Sequence, residues 1–511
     1  MGFRVSALVR EIDPEQRPRT AFVCGRVERS YDELDQRSSR VAQALLAAGV
    51  EPGERVLVLD RNSIEFFEVL FGAVKAGAVA APVNLRLTPA EVGVIVADSG
   101  ARLMVAGSGP LAALATAATA GTDVRIVETG EEYEAWLAAA PAEDPQAPED
   151  DDTVVLQLYT SGTTGVPKGV MLSNRNFDAL AKAADLMAYG PEAVTLLAMP
   201  FFHIGGAGPG LLGLYSGARN VIVPEFEPVA VLDTLERERV TTAFLVPAAL
   251  AMLAAVPGAA DRDWSALQSL AYGASPITAT SLKTILATFR APMMQVYGMT
   301  ETTGSIVQLP PEDHDPGGPR EHLLRSAGKP YDWVELKIVD PATGGQLPVG
   351  EVGELLVRTA AVTPGYWHKP EETKAALDGG WLHTGDAGYL DDEGYLFLTD
   401  RIKDMIVTGA ENVYPIEVEN VLSEHPDVAD VAVIGVPDER WGETVKAVVV
   451  PRAGAELDPD ELLAWSKERL AGFKRPRSID VVDALPRNPS GKILKKELRA
   501  PYWDGAGRSI G

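Results

Sequence analysis

The chain has 511 residues, more than one hydrophobic core can serve, since single cores stop growing near about 250–300 residues. Its 46% hydrophobic content is enough for several buried cores. The net charge of −26, from 46 basic and 72 acidic residues, argues against nucleic acid or an anionic membrane as partners, so any anionic substrate must be met by local positive charge.

The start of the chain meets Arg4, Arg10, Glu11 and Asp13 with no long apolar stretch, so no secretory signal is expected. Residues 1–6 formally fit a myristoylation pattern, which is short enough to arise by chance. Residues 20–130 alternate between helical and extended patterns. Ser30 and Glu33 form a capping box ahead of a helix through Leu46. Pro52-Gly53 turns into a strand over 56–59, a helix over 66–76 ends at Gly77, and 79–83 reads as the next strand. Such alternation predicts α/β layers on mainly parallel sheets.

Residues 141–152 read as a charged, proline-rich connector. The segment behind it, 159–169, reads Tyr-Thr-Ser-Gly-Thr-Thr-Gly-Val-Pro-Lys-Gly between predicted strands at 153–159 and 169–172. It gathers three glycines, the four hydroxyls of Thr160, Ser161, Thr163 and Thr164, and the charge of Lys168. Glycines such as Gly162 let backbone N–H groups approach an anion, and the hydroxyls and lysine add donors and charge. That is the chemistry of a loop that holds a polyphosphate. It is not a Walker loop, because Pro167 precedes the lysine and a strand, not a helix, follows it. An ordinary Gly/Ser/Thr hairpin would account for a shorter run.

Further on, 200–206 reads Pro-Phe-Phe-His-Ile-Gly-Gly, with His203 among aromatics of a kind usually found in cores. Residues 243–260 carry no charge, but Pro247, Pro257 and Gly258 interrupt them, so they read as a buried strand and a short core helix, not a membrane span. Tyr272-Gly273-Ala274-Ser275-Pro276 is a turn of small residues. In 296–302, Val-Tyr-Gly-Met-Thr-Glu-Thr, Glu301 offers one oxygen ligand, which suffices for a hard cation that keeps its waters. In 381–386, Trp-Leu-His-Thr-Gly-Asp, Asp386 can accept from two hydroxyls.

The pattern then changes. Pro415 opens a helix, strands follow at 428–436 and 444–450, Asp458-Pro459-Asp460-Glu461 starts a second helix, and 478–482 closes with a strand. This predicts a compact α+β unit whose boundary lies near 401–404, giving domains at 1–402 and 403–511. Asn488-Pro489-Ser490-Gly491-Lys492 places a lysine on a loop, where lysines are normally just solvated. The single cysteine, Cys24, excludes an intrachain disulfide and fits a reducing compartment, and no pair among the six histidines has the helical spacing of a zinc site.

Taken in order, these motifs resemble those of the adenylate-forming superfamily of acyl-CoA synthetases, peptide-synthetase adenylation domains and beetle luciferases, over nearly the whole chain. The resemblance implies an α/β fold: a large N-terminal domain of layered subdomains plus a small, mobile α+β C-terminal domain. It implies that 160–168 grips phosphate, that Gly273, Ala274 and Ser275 hold adenine, and that Tyr297 stacks on it. Thr300 would contact phosphate, Glu301 would hold Mg²⁺, and Asp386 and Arg401 would reach the ribose. His203 would gate an acyl pocket. Lys492 would swing in to bridge carboxylate and α-phosphate, and Lys403 would be the hinge. After rotation Gly409 would lie against the pantetheine arm, although many relatives have Gly-Gly where this chain has Thr408-Gly409. Trp441 and Phe473 resemble positions that flank the CoA adenine in some relatives, with Arg475, Lys474 or Arg86 as phosphate contacts. Trp441 equally suits a core, and Lys474-Arg475-Pro476 a solvated basic turn.

The implied reaction has two halves. A carboxylate attacks the α-phosphate of ATP, giving acyl-adenylate and pyrophosphate, and a thiol then attacks the adenylate. The cofactors would be ATP, Mg²⁺ and CoA, the partner a small carboxylic acid, the location cytoplasmic. The chain stops soon after Lys492 without a carrier domain, and Phe201-Phe202-His203 stands where peptide-synthetase domains carry an aspartate for an α-amino group. Both points lead to a free-standing acyl-CoA synthetase. The small apolar residues Gly205, Gly206, Ala207, Gly208, Leu211 and Leu212 suit a medium- or long-chain fatty acid. An aryl-CoA ligase, which shares every motif, and a ligase loading a separate acyl carrier protein stand as alternatives. Oligomeric state is not fixed by these features, and a homodimer stays open.

Overall fold

The computed structural model describes residues 3–161, 167–275, 277, 279–401, 404, 406–408, 411–438, 442–487 and 493–503. The chain up to Arg401 is built on three sheets. In a nine-stranded sheet, Ser269–Gly273, Thr242–Leu245, Val194–Leu197 and Arg219–Ile222 run parallel at the centre. Gly304–Leu309 and Val27–Ser30 pair antiparallel toward its edges. In a six-stranded sheet the parallel run ends at Val154–Ser161, which turns back antiparallel onto Pro167–Ser173. An antiparallel four-stranded sheet follows and ends at Leu396–Arg401. The next strand, Ile406–Thr408, belongs to a separate five-stranded sheet flanked by the helices Pro415–Ser423 and Pro459–Arg469. The expected layered α/β part followed by an α+β unit is what the chain forms.

The helices start where their caps say. Ser30 and Glu33 close the capping box of Tyr31–Ala47. The helix expected at 66–76 starts two residues earlier, as Ile64–Lys75, because the Ser63 side chain accepts from Phe66 N. Every residue of that helix except Glu65 is buried. It fills the space between the two large sheets, with the Phe67 ring 4.4 Å from Phe22 and 5.1 Å from Phe201. Lys75 at its end is fully buried, and its Nζ donates to the Asp35 carbonyl at 2.8 Å, Asp35 Oδ1 at 2.6 Å and Ser39 Oγ at 2.9 Å. The stretch 141–152 does more than connect. Asp144 pairs with Arg10 at 2.6 Å, and Asn174 Nδ2 donates to the Asp150 carbonyl at 2.9 Å, so it is pinned to the body. The uncharged run 243–260 is strand Thr242–Leu245 followed by helix Pro247–Ala254. Among the described residues no helix is long and apolar enough to cross a membrane.

Candidate active site

The hairpin of the six-stranded sheet sets Thr160 opposite Lys168. Between its arms, Gly162, Thr163 and Thr164 lie outside the described residues, as do Lys403, Gly409, Trp441, Lys492 and the side chains of Ser161 and Arg401. Lys168 Nζ stands 5.0 Å from the Tyr366 ring centre, and the Tyr366 phenol donates to Glu301 Oε1 at 3.0 Å. One tyrosine thus bridges the phosphate-loop lysine and the expected metal carboxylate. Burial, then the charge of Glu301, pushes the Tyr366 phenol well up, so it stays protonated and can donate. Backbone bonds fix the same segment to both partners: Trp367 N to the Gly169 carbonyl at 2.8 Å and Thr363 N to the Glu301 carbonyl at 2.8 Å.

Beneath the hairpin runs a buried polar chain. Arg55 Nε donates to Gln157 Oε1 at 2.8 Å, Gln157 Nε2 to the Tyr159 hydroxyl at 3.0 Å, and that hydroxyl to Asp98 Oδ2 at 2.9 Å. The Arg55 guanidinium lies 3.2 Å over the Trp367 ring, and burial draws its pKa down to about 10. A Cβ at Gly169 would come within 2.4 Å of Gln157 Nε2 and push that side chain out of the polar chain.

The expected nucleotide side is built from neighbouring parallel strands. Gly273 is in register with Val296, which brings the turn at 273–275 beside Tyr297. A Cβ on Gly273 would lie 2.1 Å from the Val296 carbonyl oxygen. Ala274 follows at φ +66°, a left-handed conformation that non-glycine residues adopt mainly where the surroundings impose it, often at functional sites. Tyr297 donates to Asp386 Oδ2 at 2.7 Å, and the backbones of Asp386 and Arg401 are partners across adjacent strands. Asp386 N in turn donates to Thr384 Oγ1 at 3.0 Å. Five sequence motifs that lie far apart in the chain therefore converge on one face. Glu301 is 8% exposed, and among the described residues no three His, Cys, Asp or Glu side chains converge. One carboxylate oxygen donor fits a magnesium ion that arrives with phosphate and water ligands, not a resident cage.

Next to this face a cleft of about 650 Å³, its open mouth included, runs between helix Ile204–Tyr215 and the nine-stranded sheet. Ala274, Gly298 and Thr303 line it beside the nucleotide turn, and no charged side chain among the described residues does. Gly205, Gly208 and Leu212 line it as expected, but Gly206, Ala207 and Leu211 do not. Gly206 is a packing glycine, since its Cβ would meet the Pro200 carbonyl oxygen at 2.2 Å. Pro209 also lines the cleft, and its ring has no N–H to give the Gly205 carbonyl.

His203 precedes that helix, with its ring 4.7 Å from Phe202 and its Nε2 buried without a partner. Burial, and secondarily the charge of Arg86, pushes its pKa from 6.5 down to about 4. The ring is therefore neutral at pH 7 and cannot act as a fixed cation for a carboxylate. The folded value lies below the unfolded one, so the unfolded chain binds the extra proton. Stability from this group is complete above about 6.5 and is lost as pH falls toward about 4, by roughly 3 kcal/mol at most. Denaturant melts of wild type and His203→Gln at pH 7 and pH 4.5 check this. The variant should lose less stability on acidification, and equal losses would mean that the buried neutral state is misassigned.

With this geometry the comparisons with known proteins agree. Residues 10–367 match the AMP-binding enzyme family, and residues 417–492 match its C-terminal domain family. The chain belongs to the AMP-binding enzymes of the adenylate-forming superfamily. It is an AMP-forming acid–thiol ligase by family. It is 43% identical to a fatty acid–[acyl-carrier-protein] ligase of Streptomyces coeruleorubidus, over 96% of this chain and 95% of that one. It is 41% identical to a feruloyl-CoA synthase of an Amycolatopsis species, over 94% and 96%. The structure of ATP-bound MatB from Rhodopseudomonas palustris superposes with a TM-score of 0.91 at 31% identity, covering 99% of both chains.

On the small unit of this AMP-binding enzyme, Phe473 is 38% exposed, and Arg475 is tied by its Nε to the Leu470 carbonyl at 2.8 Å. Lys474, read as a solvated basic turn or a phosphate contact, pairs with Glu417. Sequence reading passed over Tyr366 and Trp367. Their signal is Pro364-Gly365-Tyr366-Trp367, two aromatics directly behind a Pro-Gly turn.

Proposed function

We propose that this enzyme activates a carboxylic acid whose body is apolar and carries no second charge, in the first place a medium- or long-chain fatty acid, and transfers the acyl group to CoA. The observation that carries the reading is the charge-free cleft that opens beside the nucleotide turn. In this reading Thr160, Ser161, Gly162, Thr163, Thr164 and Lys168 hold the triphosphate, and Gly273, Ala274, Ser275 and Tyr297 hold the adenine. Asp386 and Arg401 take the ribose, Thr300 an α-phosphate oxygen, and Glu301 the magnesium. When bound, that ion neutralises charge on the departing pyrophosphate. The carboxylate enters past His203 and attacks the α-phosphate, with Lys492 between the two anions. Rotation at Lys403 then presents Gly409, Phe473 and Arg475 to CoA, whose thiol displaces AMP. The domains are accordingly 1–402 and 403–511, and the compartment is the cytoplasm.

A second reading, a separate acyl carrier protein as acceptor, draws on the relative from Streptomyces coeruleorubidus. Acid-dependent AMP release over a panel of acids, with CoA or with a phosphopantetheinylated carrier protein, separates the two. AMP release and thioester with the carrier alone would overturn the CoA assignment.

Gly208 tests the pocket itself. A Cβ there would make only ordinary contacts, 3.6 Å to Ile204 Cδ1 and 3.6 Å to Leu180 Cδ2. Gly208→Leu should therefore fold, with some gain in helix propensity, and fill part of the cleft. Each CH₂ denied burial should weaken binding by about 0.8 kcal/mol, so the preferred chain should shorten by several carbons. An unchanged chain-length profile would place the tail elsewhere.

A further inference from the structure

We propose that the far end of the acyl cleft is a hydrogen-bonding seat in which the Tyr189 phenol grips an oxygen at the distal end of the acid, so that a tail ending in a hydroxyl is preferred to the plain hydrocarbon. This rests on the ligase reading above and narrows its substrate.

Four hydroxyl side chains line the otherwise apolar cleft: Tyr189, Thr242, Thr303 and Ser305. Three are engaged. Thr242 donates to the Met187 carbonyl at 3.0 Å and Thr303 to the Ala361 carbonyl at 2.7 Å, while Ser305 accepts from Tyr331 at 3.2 Å and, in register with Gly298, holds its own O–H at the nucleotide end. Tyr189 is 7% exposed and lines the cleft, and its hydroxyl opens onto the cleft and makes no hydrogen bond to a described residue. Buried phenols usually find a partner.

Of the polar row behind the cleft only Thr242 lines it, and its hydroxyl bonds the Met187 carbonyl two residues before Tyr189. Thr242 is in register with Thr195 on one side and Ser269 on the other, and Thr195 with Asn220. Residues in register on parallel strands share a face, so these four make one polar row across strands whose interiors are normally apolar. Thr195 Oγ1, Asn220 Oδ1 and Ser269 Oγ are all buried without a partner. The row sits at the starts of its strands, and the nucleotide turn sits at the ends. From Ser269 to Gly273 the strand covers about 13 Å at ~3.3 Å per residue. The polar end is thus opposite the end where the carboxylate is activated. The span suits an apolar body of moderate length with a hydroxyl at its far end, whether an ω-hydroxy aliphatic acid or a phenolic arylpropenoic acid. A donor that a bound tail cuts off from water discriminates against the analogue that lacks the oxygen, because binding that analogue leaves the donor unpaired.

The test compares octanoate with ω-hydroxyoctanoate, and cinnamate with para-hydroxycinnamate, by acid-dependent AMP release in wild type and Tyr189→Phe. Wild type should favour the hydroxylated member of at least one pair by about five- to tenfold in kcat/KM, and the pair that responds identifies the source of the oxygen. Tyr189→Phe should bring that ratio to about one, mainly through KM. Its melting temperature should not fall, because the lost hydroxyl had no partner. A wild-type ratio near one in both pairs, an unchanged ratio in the variant, or a lowered melting temperature would overturn the seat while leaving the ligase reading intact. AMP release with none of the four acids, and none with dodecanoate or hexadecanoate, would sink that reading and the seat with it.

Discussion

Replacing Lys492 with alanine should abolish adenylate formation but largely spare thioester formation from preformed acyl-adenylate. In the first half-reaction two anions must meet, the carboxylate and the α-phosphate, while charge grows on the transferring group. A cation placed there stabilises the transition state more than the ground state. Removing one such donor typically costs about 10²–10³ in rate. In the second half-reaction the anion pair is gone, and the lysine has no comparable task. The segment that carries Lys492 is bracketed by an antiparallel bridge between Arg487 and Ile493 and by Leu494 N donating to the Pro486 carbonyl at 2.8 Å, so a truncated side chain need not disturb its base. Synthetic adenylate plus CoA, with the thioester measured, separates the halves. Equal loss in both would mean that the lysine is structural.

Much of this machinery could be read from the sequence, for physical reasons. Caps are local chemistry, so Ser30 with Glu33 located a helix start to the residue. Glycines and hydroxyls packed around Lys168 are local too, as is the α+β pattern after Pro415. What escaped is non-local. Tyr366 matters because an isolated bridge to Val170 and the backbone bonds of Thr363 and Trp367 bring it between Lys168 and Glu301, and nothing in its own neighbourhood says so. Tyr189 is an ordinary aromatic in sequence and becomes notable only when its hydroxyl has no partner in a cleft. Gly206 and Gly208 look alike in the string Gly-Gly-Ala-Gly, yet one packs against Pro200 and the other lines the cleft, where a Cβ would make only ordinary contacts. Helical phase relative to a distant sheet decides between them, and composition does not carry that phase.

Glu301→Gln is expected to lower magnesium-dependent kcat/KM by about 10² while leaving the fold intact. Glutamine keeps an oxygen that can accept from Tyr366, and the backbone bond from Thr363 N to the 301 carbonyl does not involve the side chain. Only the charge is lost, and with it the hard anionic oxygen that a magnesium–triphosphate complex calls for. Tyr366→Phe makes the complementary change, keeping the charge and removing the hydrogen bond that fixes its direction. Loss of such an orienting partner typically weakens metal affinity by about 10–100-fold, and the low end is expected here because the Tyr366 ring still packs beside Lys168. The two variants should therefore separate on a magnesium titration. Glu301→Gln should show a low rate that added magnesium cannot restore, and Tyr366→Phe a right-shifted curve that recovers near wild-type rate at high magnesium. Nucleotide binding followed by fluorescence with and without magnesium should give the same order, independent of turnover. A Glu301→Gln enzyme with wild-type rate and metal dependence would remove this carboxylate from the active site. An unshifted Tyr366→Phe curve would reduce the bridging tyrosine to a packing residue.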